Sequence, residues 1–290
     1  MIIHRYSTLL FKFFLLISIM PTIGANYYVA TSYGSDSNNG NSINTPFKTI
    51  GKAASVMSSG DKCYIRQGRY HETITIDDLD GSSGSAIVFT NYNNERVVID
   101  GTTPITSTWT RVGSTNIWKT KLSADIWQLF INWEEQVMAR WPNAKFSDDT
   151  IWDNDNYWAK GTIDDDENAY TNGTIIDDPY TNSAGTTIDL NATGFDLDET
   201  NKQAIAILNL GSFKTWSRLV TSHSGNTFNY ATVPTWKTKH HSYYLEGRKE
   251  FLDQEGEWWY DTYNNADSLY YYAANGVNPN RLDFRGKVQS

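Results

Sequence analysis

Residues 26–101 decide the fold. The stretch opens with an apolar strand candidate, Tyr27-Tyr-Val-Ala30, and a turn, Gly34-Ser-Asp-Ser-Asn-Asn-Gly40, whose residue types adopt turn conformations at little steric cost. Four further strand candidates are separated by turns rich in glycine, aspartate and serine: residues 62–66, 72–76, 86–91 and 96–100. Short strands at such intervals predict a β-sandwich, a β-barrel or a β-solenoid.

A helix candidate between the first two strands favours the solenoid. Thr45 is placed to cap it, Pro46 suits its first position, and Gly60 ends it. Its apolar residues recur at helical spacing: Phe47, Ile50, Ala53, Ala54 and Met57. Because the first coil of a solenoid exposes an edge and an apolar end, a helix with a polar back can cover it there.

The order and spacing of these residues resemble a known family. The residues that carry the resemblance are Tyr27-Tyr-Val-Ala30, Gly34-Ser-Asp36, Asn39-Gly40, Pro46-Phe-Lys-Thr-Ile50, Gly60-Asp61, Gly68-Arg-Tyr-His-Glu72 and Ile99-Asp100-Gly101. They resemble the N-terminal cap and first coils of secreted right-handed parallel β-helix proteins, which include β-xylosidase-like glycoside hydrolases and polysaccharide lyases. The resemblance implies an all-β, pectate-lyase-like parallel β-helix with an N-terminal capping helix. It leaves the reaction open, because one fold serves several chemistries.

The first 25 residues have the features of a signal peptide. His4 and Arg5 precede an apolar run over residues 9–20, and the small pair Gly24-Ala25 follows. A membrane anchor is the alternative, but the run is shorter than the roughly 20 residues that span a bilayer. We therefore expect cleavage after Ala25 and a secreted or periplasmic protein with no membrane partner.

Beyond residue 106 the sequence becomes rich in tryptophan and aspartate. Residues 125–132 and 136–143 read as two strands, and three later strands are predicted over 243–247, 257–261 and 269–272. The segment Ala139-Arg-Trp-Pro-Asn143 and the later strands resemble parts of larger bacterial β-helix proteins with an inserted subdomain. At Trp133-Glu134-Glu135 a glycine-containing turn is missing, so we expect an altered hairpin there.

The resulting domain prediction has four parts. They are a signal peptide over 1–25, the cap and first coils over 26–106, an inserted β-rich subdomain over 107–236, and return strands over 237–290. Arg285-Gly-Lys-Val-Gln-Ser290 reads as a strand that enters a further coil. Since a solenoid needs several stacked coils, we expect an N-terminal fragment whose catalytic residues lie beyond Ser290.

Composition excludes several classes of protein. The chain carries 33 Asp and Glu against 24 Lys and Arg, a net charge of −9, which argues against a nucleic-acid partner. Its 11 Trp, 18 Tyr and 12 Phe are too many for a disordered chain. Cys63 is the sole cysteine, so no intramolecular disulfide can form. We expect a folded monomer.

Two groups of residues are candidates for a sugar site. Arg140 and Trp141 could bind a sugar together, the indole stacking on the ring and the guanidinium pairing with a uronate carboxylate. His240-His241 and Glu246 offer groups for proton transfer, and on a strand at most one of the adjacent histidines can face a groove. The alternative for each group is a structural role, in which Trp141 packs under the subdomain and Arg140 bridges a neighbouring acid.

The sequence predicts no cofactor, with Ca²⁺ as a weak alternative. The acidic stretches Asp164-Asp-Asp-Glu167 and Asp177-Asp178 carry oxygen ligands, as does the turn with Asp36, Asn38 and Gly40, but none forms a complete calcium loop. Solvated loops and an ordinary turn are the alternatives. Motifs for phosphate binding, structural zinc and an esterase nucleophile are absent from the sequence.

Two functions from different classes remain. The first is a glycoside hydrolase acting on plant or algal polysaccharide, with lyase β-elimination as the runner-up chemistry. The second is a non-catalytic glycan-binding or adhesion β-solenoid, which would use the same aromatic surface. In either case we expect a polysaccharide or oligosaccharide as the partner.

Overall fold

The structure is a computed structural model that describes residues 24–77, 79–161, 173–200, 202–211, 214–233, 242–261 and 267–288. Within these ranges the chain is all-β, with many short strands and few helices, as predicted. The chain divides into two compact units, residues 1–101 and 102–290. In the described ranges, no helix combines the length and apolar character needed to cross a bilayer.

The first unit is built from parallel strands. The structure has β1 at Asn26–Val29, α1 at Ile50–Ala54, β2 at Lys62–Ile65, β3 at Gly68–Tyr70, β4 at Val88–Asn91, a 3-10 helix at Tyr92–Asn94 and β5 at Val97–Ile99. Strands β1, β2 and β4 pair in parallel in that order, and β3 pairs in parallel with β5. The predicted strands over 62–66, 86–91 and 96–100 are confirmed to within two residues. The handed β-helix itself stays a prediction.

Two predictions in the first unit are wrong. Helix α1 begins at Ile50 rather than near Thr45, because Thr49 is its N-cap and the preceding Phe47 bridges in parallel to Val29 of β1. Residues 72–76 form no strand. There the Glu72 carboxylate instead accepts hydrogen bonds from the first helical amides, Ile50 N and Gly51 N, at 2.9 Å each.

The core of the first unit lies under this helix. Ile50 is 2% exposed and packs with Val29, Phe47 and Cys63 in one apolar cluster. The predicted apolar face of the helix is therefore buried, although the helix is shorter than predicted. The predicted signal peptide falls almost entirely on residues 1–23, outside the described residues.

The second unit contains two large sheets. Its first strands are β6 Thr103–Pro104, β7 Thr110–Arg111, β8 Ile117–Lys121, β9 Ile126–Ile131, β10 Glu134–Met138, β11 Arg140–Trp141, β12 Ala159–Lys160, β13 Thr174–Ile176, β14 Tyr180–Thr181 and β15 Thr187–Ile188. The later strands are β16 Ile205–Asn209, β17 Thr215–Ser224, β18 Thr227–Tyr230, β19 Ser242–Glu246, β20 Glu257–Asp261, β21 Ser268–Tyr272 and β22 Phe284–Val288. Helical turns lie at α2 Asn154–Tyr157 and, in 3-10 form, at Thr150–Trp152, Asn191–Thr193, Lys249–Phe251 and Pro279–Arg281.

Strands distant in sequence are neighbours in both sheets. The first sheet has the order β6-β22-β9-β10-β20-β21-β8-β7, in which β10 and β20 are parallel and the other pairs are antiparallel. The second has the order β11-β19-β16-β17-β18-β13, with β12 also paired to β19. Strands from 242–288 thus pair with strands from 103–230. The predicted division of this region into a subdomain and return strands stays a prediction.

The hairpin between β9 and β10 closes without glycine. Ile131 pairs with Glu134, so Asn132 and Trp133 form the two-residue turn, at φ 51° and 76°. Asparagine adopts this left-handed region readily, whereas tryptophan rarely does. The Trp133 ring lies 4.6 Å from the Arg285 guanidinium.

Candidate functional site

An aromatic cleft is the candidate site of the second unit. Its volume is about 510 Å³. Of the described residues, six aromatic side chains line it: Trp127, Phe146, Trp152, Trp158, Tyr244 and Trp258. Between them are polar groups, among which are Glu135, Arg140, Asn209 and Glu246. Apolar walls with a few fixed polar groups are typical of a site for a small ligand.

Several separate segments supply these side chains. Strand β9 carries Trp127 and strand β19 carries Tyr244 and Glu246, while Trp152 ends a 3-10 helix and Trp158 follows α2. Because side chains alternate along a strand, Tyr244 and Glu246 lie on one face of β19. Trp127 and Trp152 are 55% and 73% exposed, so their rings are accessible to a ligand.

Trp158 lines the cleft and carries a buried hydrogen-bond donor. Its ring meets the Tyr244 ring edge to face, with centroids 4.8 Å apart. Its Nε1 atom is buried and has no hydrogen-bond partner among the described residues. An unpaired buried donor is costly, so an acceptor oxygen on a ligand would be stabilised there.

Arg140 is held rigidly at the wall of the cleft. It is 2% exposed, and it donates from Nε to Pro142 O and from Nη2 to Tyr157 O, both at 2.9 Å. Its guanidinium lies 3.8 Å from the centroid of the Tyr244 ring. Burial lowers the pKa of Arg140 to about 10, which still leaves it charged at neutral pH.

Glu246 is a carboxyl group with an altered proton affinity. Burial raises the pKa of Glu246 to about 7, and the positive charge of Arg140 opposes that rise. In the described part of the chain, its carboxyl group makes no hydrogen bond. Near neutral pH the group is therefore present in both protonation states, as suits a proton donor or acceptor.

The two sequence-predicted residues Arg140 and Trp141 face different surroundings. Trp141 packs against the core, with its ring centroid 6.4 Å from that of Phe195 and 6.3 Å from that of Tyr243. Of the pair, only Arg140 lines the cleft. The structure thus brings Arg140 and Glu246 together and places Trp141 apart. The joint sugar platform of Arg140 and Trp141 stays a prediction.

The other sequence candidates are placed as follows. His240, His241 and the stretch 164–167 lie outside the described residues. The Asp177 carboxylate accepts from Tyr243 OH at 2.5 Å and from Leu190 N at 2.8 Å. Asp36 accepts from the amides of Lys48 and Thr49. No cluster of three or more metal-binding side chains occurs in the described ranges.

Sequence reasoning missed the aromatic walls of the cleft. Trp127, Trp152 and Trp158 lie on three separate segments, and no spacing rule connects them. The available signal was the high number of tryptophans between residues 109 and 158. That signal indicates an aromatic surface without locating it.

The chain was compared with known proteins, and one solved structure shares its fold. No family model matches the chain. Over 76 residues it is 40% identical to the uncharacterized protein YwoF of Bacillus subtilis (strain 168), a match that covers 26% of this chain and 16% of that protein. It is similar to a solved structure described as a glycoside hydrolase, with a TM-score of 0.54 and 16% identity over 90% of this chain and 45% of that one.

A second solved structure, a complex of XylC with xylose, has a TM-score of 0.38 and 15% identity, and covers 91% of this chain and 32% of that one. The chain thus spans less than half of each of these proteins. The likeness to the glycoside hydrolase concerns the fold alone.

Proposed function

We propose that this chain is part of a secreted carbohydrate-active protein on a right-handed parallel β-helix, and that its aromatic cleft binds a polysaccharide chain. The observation that carries the proposal is the joint presence of exposed tryptophans and a carboxyl group of raised pKa in one cleft, Trp127 and Trp152 with Glu246. The parallel pairs β1-β2-β4 and β3-β5 support the β-helix.

The aromatic rings suit a sugar ligand. The C–H groups of a sugar ring form an apolar face that an indole can cover, while the hydroxyl groups at its rim need hydrogen bonds. Trp127 and Trp152 offer the rings, and Trp158 Nε1, Asn209 and Glu246 offer hydrogen-bonding groups. A purely hydrophobic ligand would leave these polar groups without partners.

Glycoside hydrolysis is the chemistry that we propose for the whole protein. It needs two carboxyl groups about 5 to 10 Å apart, one of them with a raised pKa. Glu246 is a candidate for the raised one, and Glu135 lines the same cleft. Lyase chemistry on uronates is less favoured, because Arg140 already donates to Pro142 O and Tyr157 O. A non-catalytic binding protein would use the same walls.

Two measurements test this proposal. The first is affinity for a panel of neutral and acidic polysaccharides, where Trp152→Ala should weaken binding at least fivefold because it removes a stacking ring. Trp133→Gly is the control, since it removes an indole that does not line the cleft and glycine suits the φ of 76°. Equal binding by wild-type and Trp152→Ala protein would contradict the proposal.

The second measurement separates the chemistries. Incubation with each bound polysaccharide is followed by assays of reducing ends and of the absorbance of unsaturated products. Hydrolysis raises only the first signal, elimination raises both, and a binding protein raises neither. If Glu246 donates the proton, Glu246→Gln removes the reducing-end signal while binding persists.

Export is the remaining part of the proposal. The charged start and apolar run of residues 1–25 support cleavage after Ala25 and a secreted or periplasmic location. N-terminal sequencing of exported protein should then begin at Asn26. Exported material that begins at Met1 would contradict it.

A further inference from the structure

A second cavity adjoins the aromatic cleft. Its volume is about 620 Å³, and three segments line it: residues 134–137, 144–147 and 254–257. In the part of the chain that the structure describes, four residues line both cavities: Glu135, Gln136, Val137 and Phe146. A ligand that fills the cleft can therefore extend along the same wall.

Two buried polar atoms at this cavity have no hydrogen-bond partner among the described residues. Glu257 is 1% exposed, and its Oε2 accepts from the amides of Asp253 and Gln254 at 3.2 and 3.1 Å. Its other oxygen, Oε1, has no hydrogen-bond partner in the described part of the chain, although the backbone amide of Arg140 favours the charged form of the group, and Nε2 of Gln254 also has no partner there. Such atoms are rare in folded proteins, because each loses its bond to water without a replacement.

The charge of the cavity restricts what can bind there. Glu134, Glu135 and Glu255 line it beside the buried Glu257, and among its lining residues in the described ranges Lys145 is the one cation. An anionic sugar would be repelled. A hydroxyl group carries no charge and both donates and accepts, so it can bond to Gln254 Nε2 and to Glu257 Oε1.

We propose that this second cavity is a subsite for an uncharged sugar residue, whose hydroxyl groups bind Glu257 and Gln254. The inference rests on the proposed function, since the sugar belongs to the same chain as the residue in the aromatic cleft. It adds the substrate class, a neutral rather than a uronate-rich polysaccharide, and a minimum length, because a short ligand fills one cavity only.

Titration calorimetry with oligosaccharides of increasing length tests the subsite. The probes are neutral xylo- and cello-oligosaccharides from disaccharide to pentasaccharide, with oligogalacturonates as the acidic series. We expect Gln254→Ala to weaken binding of the neutral pentasaccharide about fivefold, the loss of one hydrogen bond, and to leave the disaccharide unchanged. Trp152→Ala should weaken both.

Matched variants keep the result interpretable. Gln203→Ala makes the same substitution at a residue that lines neither cavity, and it should change nothing. Gln254→Glu preserves the shape of the side chain and replaces the donor with a negative charge, so it tests the same bond if the alanine variant folds poorly.

The outcomes separate the two proposals. If the affinity gained with length persists in both Gln254 variants, the longer ligand gains its contacts elsewhere and the proposed subsite is disproved. If neither neutral series gains affinity with length, or if oligogalacturonates bind more tightly, the inferred substrate class is wrong. If Trp152→Ala leaves all binding unchanged, the proposed function itself fails.

Discussion

Arg140 and Glu246 stand directly opposite each other in the antiparallel pair of β11 and β19. Burial lowers the pKa of Arg140 and raises that of Glu246, because it disfavours the charged form of each group. The opposite charge of the partner counteracts both shifts. The next residue, Trp141, packs into the core. The dipeptide of β11 therefore fixes a charge at the cleft and anchors the same strand in the apolar interior.

Removal of the Arg140 guanidinium should destabilise the second unit. Arg140→Met leaves Pro142 O and Tyr157 O without their donors and buries Glu246 without a counter-charge. We expect a loss of about 3 kcal/mol in the free energy of unfolding. Urea denaturation measures it, with the exposed Arg281→Met as the control. Equal stability of the two variants would show that the buried bonds contribute little.

Stability should fall as the pH rises from about 5 to about 8. Burial raises the pKa of Glu257 to about 8 and that of Glu246 to about 7, so the folded chain holds protons that the unfolded chain releases above about pH 4.5. The stabilisation is complete below the unfolded pKa and is lost as the pH rises through the folded values.

The measurement for this pH dependence is a series of urea midpoints. Glu257→Gln should reduce the loss in free energy of unfolding between about pH 5 and about pH 8 by on the order of a few kcal/mol, because the amide does not ionise. Its oxygen can still accept from Asp253 N and Gln254 N. Glu255→Gln changes an exposed neighbour and is the control. An unchanged pH dependence of stability in Glu257→Gln would show that Glu257 is not the titrating group.

Glu72 should stabilise helix α1 from outside the helix. Its carboxylate accepts from Ile50 N and Gly51 N, two amides that have no partner within the helix. Glu72→Ala should cost about 1 to 2 kcal/mol, as the loss of a capping group does. Thermal denaturation checks this against Asp77→Ala, an exposed acid nearby in sequence. If Asp77→Ala lowers the midpoint as much, the effect belongs to net charge.

The buried face of α1 should not tolerate a charge. Ile50 is 2% exposed, so Ile50→Asp places an unpaired carboxylate in the apolar cluster and should cost several kcal/mol. Val56 is 39% exposed, and Val56→Asp should change stability by less than about 1 kcal/mol. Protease resistance of the first unit measures the effect of both substitutions. A normally folded Ile50→Asp protein would show that the helix face is dispensable.

Local patterns predicted part of the strands, and they predicted the start of the helix poorly. Apolar runs bounded by turns identified β1, β9 and β19 to β21, because the alternation and the turn residues are visible in the local sequence. Thr45 and Pro46 also form a good helix start. They do not start α1, since Phe47 pairs with Val29, a contact that sequence spacing does not reveal.

The candidate site was predicted only in part for a related reason. Glu246 and Arg140 were chosen for their chemistry, and the register of β11 against β19 brings them together. Glu257 read as an ordinary strand residue, and only the fold buries it. Burial and orphaned atoms depend on neighbours far away in the chain, so composition and periodicity cannot predict them.

Sugar binding in the aromatic cleft should be coupled to proton uptake. A bound sugar displaces water from Glu246, which favours the neutral carboxyl group and raises its pKa above about 7. Affinity should therefore fall severalfold between about pH 6 and about pH 8, since one pKa unit corresponds to a tenfold change. Arg140, with a pKa of about 10, stays charged throughout this range.

Calorimetry near neutral pH in two buffers of different ionisation enthalpy measures the protons taken up. A disaccharide is the suitable ligand, because it leaves the cavity of Glu257 empty. Glu246→Gln should abolish both the proton uptake and the pH dependence of affinity, whereas Glu255→Gln should retain them. Proton uptake that persists in Glu246→Gln would mean that another group titrates and that Glu246 does not contact the sugar.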